Sequence, residues 1–264
     1  MKKELHFALL AIKKNLQSSA ELRTSFLMNV IGMIFNDIAF ILIWLFLIKT
    51  TGNIGGWGAA DIFGLQGFVA LSFGLVLSFG AGLRNMSPLV NSGVFDQLLL
   101  SPKNLIVRVA TSSFSASVFG DIVFGIACIS IYLVMIHATG IQVLLTIILL
   151  FFGTVAFFGV VLLVQSISFY FVDSENINTS IFDLFLMPSM FYGGAFQGSM
   201  RFIYTFIIPA LVIGTLPVEA ITHLSYQKVF LVVILSIAWF CLSLLVFKKA
   251  VKKYESANFM TFGS

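Results

Sequence analysis

The sequence predicts an all-α, polytopic membrane protein. It should have six transmembrane helices, an N-terminal amphipathic interfacial helix and a re-entrant outer helical hairpin. Three observations carry this prediction. Of 264 residues, 59% are hydrophobic and 10% charged, and the mean hydropathy is +1.05; a soluble domain carries about 25% charged residues and could not cover its surface at the lower figure. Apolar runs recur at or above the roughly 20 residues that cross a bilayer. Lysine and arginine gather at loops and ends, the placement that membrane orientation requires.

The elements follow in order along a single transmembrane domain, 1–264. Residues 2–20, within an N-terminal cytoplasmic stretch 1–25, read as an amphipathic helix. Leu5, Leu9, Ile12 and Leu16 share one stripe, and Glu4, Lys13 and Lys14 lie off it. Such a helix lies in the headgroup plane, or it packs as a cytosolic tail helix on its neighbours. Lys13, Lys14, Glu21 and Arg23 interrupt anything resembling the apolar core of a cleavable signal.

Spans are expected at Phe26–Ile48, Ile62–Leu83, Val109–Ile136, Ile141–Val172, 177–192 and Val229–Phe247. The fourth is longer than a bilayer needs, so it should tilt or project. Residues 177–218 are too long for one crossing. They are broken by Pro188, Gly193, Gly194, Gly198, Arg201, Pro209, Gly214 and Pro217. Breakers at that density are tolerated in a membrane only where the backbone is buried in protein or lines a cavity. Charge decides between two crossings there and one crossing plus an outer hairpin over 193–218. With six crossings and the N-terminus inside, twelve of the fifteen Lys and Arg residues are cytoplasmic. Lys49, Arg201 and Lys228 remain outside, and a seventh crossing spoils this bias. Both termini are then expected in the cytoplasm of a plasma-membrane protein.

Several chemistries find no support. No G-x-x-x-x-G-K-[ST] motif is present, and the cluster Gly52, Gly55, Gly56, Gly58 has no following lysine. His6, His137 and His223 make no metal constellation. Cys128 and Cys241 sit in apolar runs and read as core residues. No catalytic, cofactor-binding or metal-binding residue is expected on this chain, and no nucleic-acid partner. The partners expected from composition are membrane lipids.

Three acids, Asp37, Asp121 and Asp183, fall inside spans. A charge at bilayer depth costs about 2.5–3.5 kcal/mol on insertion scales, so each should face protein or water. They read either as a proton or cation relay or as polar packing between helices. Ala70, Gly74, Ser78 and Gly82 form a small-residue stripe in the second span that admits a close helix partner. Gly74, Ser78 and Gly82, together with Gly193 and Gly194 at the end of the fifth span, are candidate pathway positions or contacts to a second copy of the chain.

The loop 84–108 contains Pro88, which follows the potential cap Ser87, and an apolar run from Val94 to Leu100 stopped by Ser101-Pro102. Leucines there lie on lipid or fill a groove of another protein.

Gly93-Val-Phe-Asp-Gln-Leu-Leu-Leu-Ser-Pro102 resembles the G-x-(I/F)-D-x-L-L-L-x-P loop of bacterial ATP-binding-cassette (ABC) permeases of the type-two exporter class. Pro188-Ser-Met-Phe-Tyr192, Phe206-Ile-Ile-Pro-Ala210 and Leu216-Pro-Val-Glu-Ala220 resemble the same family's outer segment. The resemblance implies a permease subunit of an ABC exporter. It would pair with a second, identical or homologous permease and with two separate ABC ATPase subunits, which would hold ATP and Mg. Gly93, Phe95, Asp96, Leu98, Leu99 and Pro102 would form the ATPase-coupling element, with Phe95, Leu98 and Leu99 docking into the ATPase. The rival readings are an ion-coupled secondary transporter and a non-transporting membrane scaffold or immunity protein.

Overall fold

A computed structural model describes residues 2–21, 23–171 and 173–254. In chain order the helices are α1 (Lys2–Glu21), α2 (Arg23–Thr51), α3 (Ala59–Arg84), α4 (Met86–Asn91), α5 (Val94–Leu99), α6 (Leu105–Ala110), α7 (Val118–Met135), α8 (Gly140–Gln165), α9 (Glu175–Ser189), α10 (Gly198–Phe202), α11 (Thr215–Thr222) and α12 (Tyr226–Val251). Among the described residues there is no strand, only an isolated bridge between Ile54 and Trp57. Five helices, α2, α3, α7, α8 and α12, are long and apolar enough to cross a membrane. The chain is an all-α, multi-pass membrane protein.

The core is built around α3, which packs on α2, α7, α8 and α11. Glycines let α3 and α7 come close: a Cβ on Gly125 would lie 2.7 Å from the Leu71 amide, and one on Gly74 would lie 2.7 Å from the Ile122 side chain. Helix α12 packs on α8. It leaves Phe230, Ile234, Ile237 and Leu245 exposed, as α2 leaves Met28, Phe35, Leu42 and Phe46. Apolar faces of this extent are what a bilayer covers.

The helix directions define two ends. One, the loop end, gathers α1, α4, α5, α6, the 166–169 turn after α8 and the last turn of α12. The other, the hairpin end, gathers the 52–58 turn, the α7–α8 connection and residues 193–224. The twelve basic residues grouped in the sequence lie at the loop end, and Lys49, Arg201 and Lys228 lie at the hairpin end.

Three expected spans differ from the structure, the fourth because its α-helix stops at Gln165 and continues only as a 3-10 turn to Phe169. The third starts at Val118, not Val109, because 111–117 leaves the helix. The Thr111 hydroxyl donates to the Val107 carbonyl (2.8 Å), and the Ser112 hydroxyl to the Val109 carbonyl (2.8 Å). Hydroxyls of this kind compete with the helical ladder for backbone groups. The fifth expected span, 177–192, is the 15-residue α9, about 22 Å long. It stops one residue past Pro188, inside the bundle, where the Met190 carbonyl accepts a hydrogen bond from Gln66 Nε2 (3.1 Å).

Residues 193–222 form a hairpin that starts and finishes at the hairpin end. Its descending limb is α10 and a π-helical turn over Ile203–Ile207, and α11 is the returning limb. Its turn reaches deep: Ile213 packs against Gly153, the middle of α8. The Pro209 region meets Val160 and Trp239.

Helix α1 lies against the loop end. Asn15 Nδ2 donates to the Thr111 carbonyl (3.0 Å), and Lys103 Nζ sits 5.7 Å from the centre of the Phe7 ring. Ile12 and Leu16 are half-buried, while Leu9 is exposed.

Candidate functional site

The segment between α3 and α6 folds as two short helices. Helix α4 starts at Met86, so Ser87 lies inside its first turn, buried, and does not cap it. Gly93 joins α4 to α5 with φ 73°, a left-handed conformation that L side chains rarely adopt. Asp96 lies in the first turn of α5, favourable at a helix N-terminus.

Phe95 is the centre of this unit, and its placement corrects the expectation that it points at a partner. It is fully buried inside the chain. Its ring lies 5.0 Å from those of Phe169 and Tyr254, and Phe169 stacks edge-on to Phe247 at 5.7 Å. The reason is local: after the left-handed Gly93, α5 leaves Val94 exposed and carries Phe95 into the gap between the ends of α8 and α12. Leu98 is half-buried and Leu99 is exposed, with the still more exposed Leu100 beside it (86% exposed) and Pro102 on the surface. Asn91 Nδ2 donates to Asp173 Oδ1 (2.9 Å), a second tie to the segment after α8.

Beside this unit a cavity of about 450 Å³ opens between α3, the 111–117 break, α7 and α9. Exposed Arg84, Asn85, Glu175 and Thr179 surround its mouth. The Arg84 guanidinium lies 4.9 Å from the centre of the Phe182 ring. Its depth holds Phe73, Leu77, Val118 and Phe182 together with Asp121, Gln165 and Asn178. Asp121 is 3% exposed, and its Oδ2 has no hydrogen-bond partner. Asn178 is 2% exposed and donates to Gln165 Oε1 (3.1 Å) and Ser168 Oγ (2.8 Å), while its Oδ1 receives nothing.

The three span acids part company. Asp37 is buried on α2 with an unpartnered Oδ2, close enough to Asp121 to interact electrostatically. Gly120 brings these helices together: a Cβ there would lie 2.6 Å from the Val30 carbonyl. Asp183 is exposed on α9. The structure therefore brings two of the three together.

The small-residue faces are filled from within the chain. Gly74 faces α7, and a Cβ on Gly82 would strike the Val109 carbonyl and Ser112. The Ser78 hydroxyl donates to the Leu75 carbonyl (2.9 Å). Gly193 faces Thr215 and Glu219, and Gly194 faces the Tyr192 ring. Four-residue spacing announces a close neighbour without saying whose it is.

At the hairpin end the sequence reading missed a polar knot. Glu219 on α11 accepts from Arg201 (2.7 Å) and Lys228 (2.6 Å), joining the two hairpin limbs to the first turn of α12. The Tyr132 hydroxyl lies 2.9 Å from Thr222 Oγ1, which donates to Asp61 Oδ1 (3.0 Å). Gln142 Nε2 donates to the Ile221 carbonyl (3.0 Å). The available signal was the acid between two outer cations: Arg201, Glu219 and Lys228 are the charges of that segment.

A protein-family model described as ABC-2 family transporter protein matches residues 33–258. No curated protein and no solved structure matches the chain.

Proposed function

This chain belongs to the ABC-2 family of transporter proteins, and from that premise we propose that it is the permease subunit of an ABC exporter. Two permease copies, identical or homologous, form the pathway. Two separate ATPase chains, which hold ATP and Mg, drive it. Six segments cross the plasma membrane: α2, α3, α7, α8, α9 and α12. The 193–218 segment is a re-entrant hairpin on the outer face. The loop end, with α1, the last turn of α12 and most of the basic residues, faces the cytoplasm.

The observation that carries the coupling role is the α4–α5 pair. It is fixed from inside by Phe95 and presents Leu99 and Leu100 outward. Two adjacent leucines in water at a cytoplasmic surface are the anchors that a groove on a partner takes up. Because Phe95 ties this pair to α8 and α12, a push on α5 reaches the ends of two long helices at once. That is how an ATPase working from below moves the spans.

The test is a double substitution, L99D/L100D, in the permease co-expressed with its ATPase. Both positions are on the surface, so insertion and thermal stability should match the wild type. Co-purified ATPase should fall steeply, because each lost apolar anchor contributes on the order of 1.5–3 kcal/mol. Wild-type stoichiometry in the double variant sinks the coupling assignment. A gradient-driven transporter is the outcome if transport proceeds with no ATPase at all.

A further inference from the structure

The cavity beside α4 combines apolar walls with buried polar atoms that have no partner in the chain. Its mouth carries one cation, Arg84, and one acid, Glu175, which offset each other in sign. Its depth carries a single carboxylate, Asp121, on otherwise apolar and neutral walls. Two acceptor atoms there, Asp121 Oδ2 and Asn178 Oδ1, are buried without a donor from the chain. Buried acceptors of this kind are normally paired, and an unpaired carboxylate is costly. The Asn178 amide group is already held by Gln165 and Ser168, so its oxygen is fixed in place. Phe73 and Phe182 add apolar wall, the Phe182 ring already carrying the Arg84 guanidinium at 4.9 Å. At about 450 Å³ the space falls in the range of small-molecule sites.

From this we infer that the cavity binds an amphiphile bearing a protonated amine, its ammonium on Asp121 and its apolar body against Phe73, Leu77 and Phe182. That such a molecule is the transported substrate rests on the permease reading. Binding to the isolated chain does not.

The probe is dansylcadaverine, a fluorophore with a primary ammonium, beside its neutral N-acetyl derivative. Both are titrated into the purified full-length chain in lipid nanodiscs. The expected result is saturable binding of the ammonium form. Asp121→Asn should weaken it about tenfold or more, the size of losing a charge-assisted hydrogen bond. The neutral derivative should bind weakly and equally to both proteins. Asp37→Asn, which alters the neighbouring acid outside the cavity lining, should retain the preference. The proposal is overturned by an absence of saturable binding, by an Asp121→Asn protein that keeps the preference, or by an equal loss of both probes. If Asp121→Asn does not purify, Asp121→Glu must keep the ammonium preference and Ala81→Phe, which fills the space, must remove it; any other result overturns the proposal. ATPase co-purification plays no part in the titration, so failure here and failure of the coupling assignment are separate results.

Discussion

The two ends of the molecule fasten their irregular segments by opposite means. At the loop end the α4–α5 pair is held by rings: Phe95 packs on Phe169 and Tyr254, and Phe169 in turn on Phe247. At the hairpin end residues 193–222 are held by directed polar bonds, with Glu219 between two cations and the Tyr132–Thr222–Asp61 chain beside it. Aromatic packing depends on area and tolerates small rotations, so a ring-pinned loop can transmit a push without snapping. Hydrogen bonds weaken steeply as distance and angle drift, so a hairpin held by them keeps one register until it releases. Fixings suited to a lever lie at one end, and those suited to a latch at the other.

This contrast can be broken by hydrogen exchange on the purified protein, segment by segment. The largest effect should come from Phe95→Ala, which empties a fully buried ring site and costs about 3–5 kcal/mol. Residues 86–102 should exchange far faster while 198–222 stay as they were; uniform loosening of both ends would contradict separate fixings. Glu219→Ala should act in mirror image. Its two cations are partly solvated, with 37% and 34% of their side chains exposed, so the loss should be nearer 1.5 than 3 kcal/mol. It should accelerate exchange in 198–222 alone, and no change there would show that the knot is decorative. Tyr132→Phe removes a hydroxyl that meets both Thr222 (2.9 Å) and the Val218 carbonyl (3.4 Å) and should loosen the same segment by about 0.5–1.5 kcal/mol. Raising the salt to about 1 M sharpens the comparison most finely. It screens exposed charges and should weaken the hairpin by less than about 1 kcal/mol, with the ring-held loop unmoved or slightly firmer.

Much of the architecture was legible because lipid is a simple solvent. Apolar run length gives the five long helices, and most basic residues gather at one end of the molecule. What composition does not show is where a helix stops for local reasons. Thr111 and Ser112 turn their hydroxyls onto the preceding carbonyls and delay α7 to Val118. Phe95 in the sequence is an apolar residue on a polar side of the membrane. Only the left-handed Gly93 and the nearby helix ends decide that it points inward. Asp121 was singled out, but its cavity depends on Gln165 and Asn178, which stand apart in sequence and meet because α8 turns back on α9. The small residues of α3 gave a true signal of close approach, and their neighbour is α7 of the same chain.

The interruption at 111–117 has a consequence beyond the protein itself. It leaves α7 only 18 residues long, about 27 Å, beside α9 at about 22 Å, while the 29 residues of α2 run to about 43 Å. A hydrocarbon layer is about 30 Å thick, and a short apolar wall draws the bilayer thinner around it. Helices α7 and α9 both present bare apolar side chains, Val123 and Ile126 on one and Leu184 and Met187 on the other. The leaflet along that flank is therefore expected to dip, carrying its headgroups toward the residues around Ser113 and Thr179. On the reading proposed above, the surrounding lipid would act as a reservoir, and a molecule dissolved in the leaflet would reach the mouth by a short sideways step.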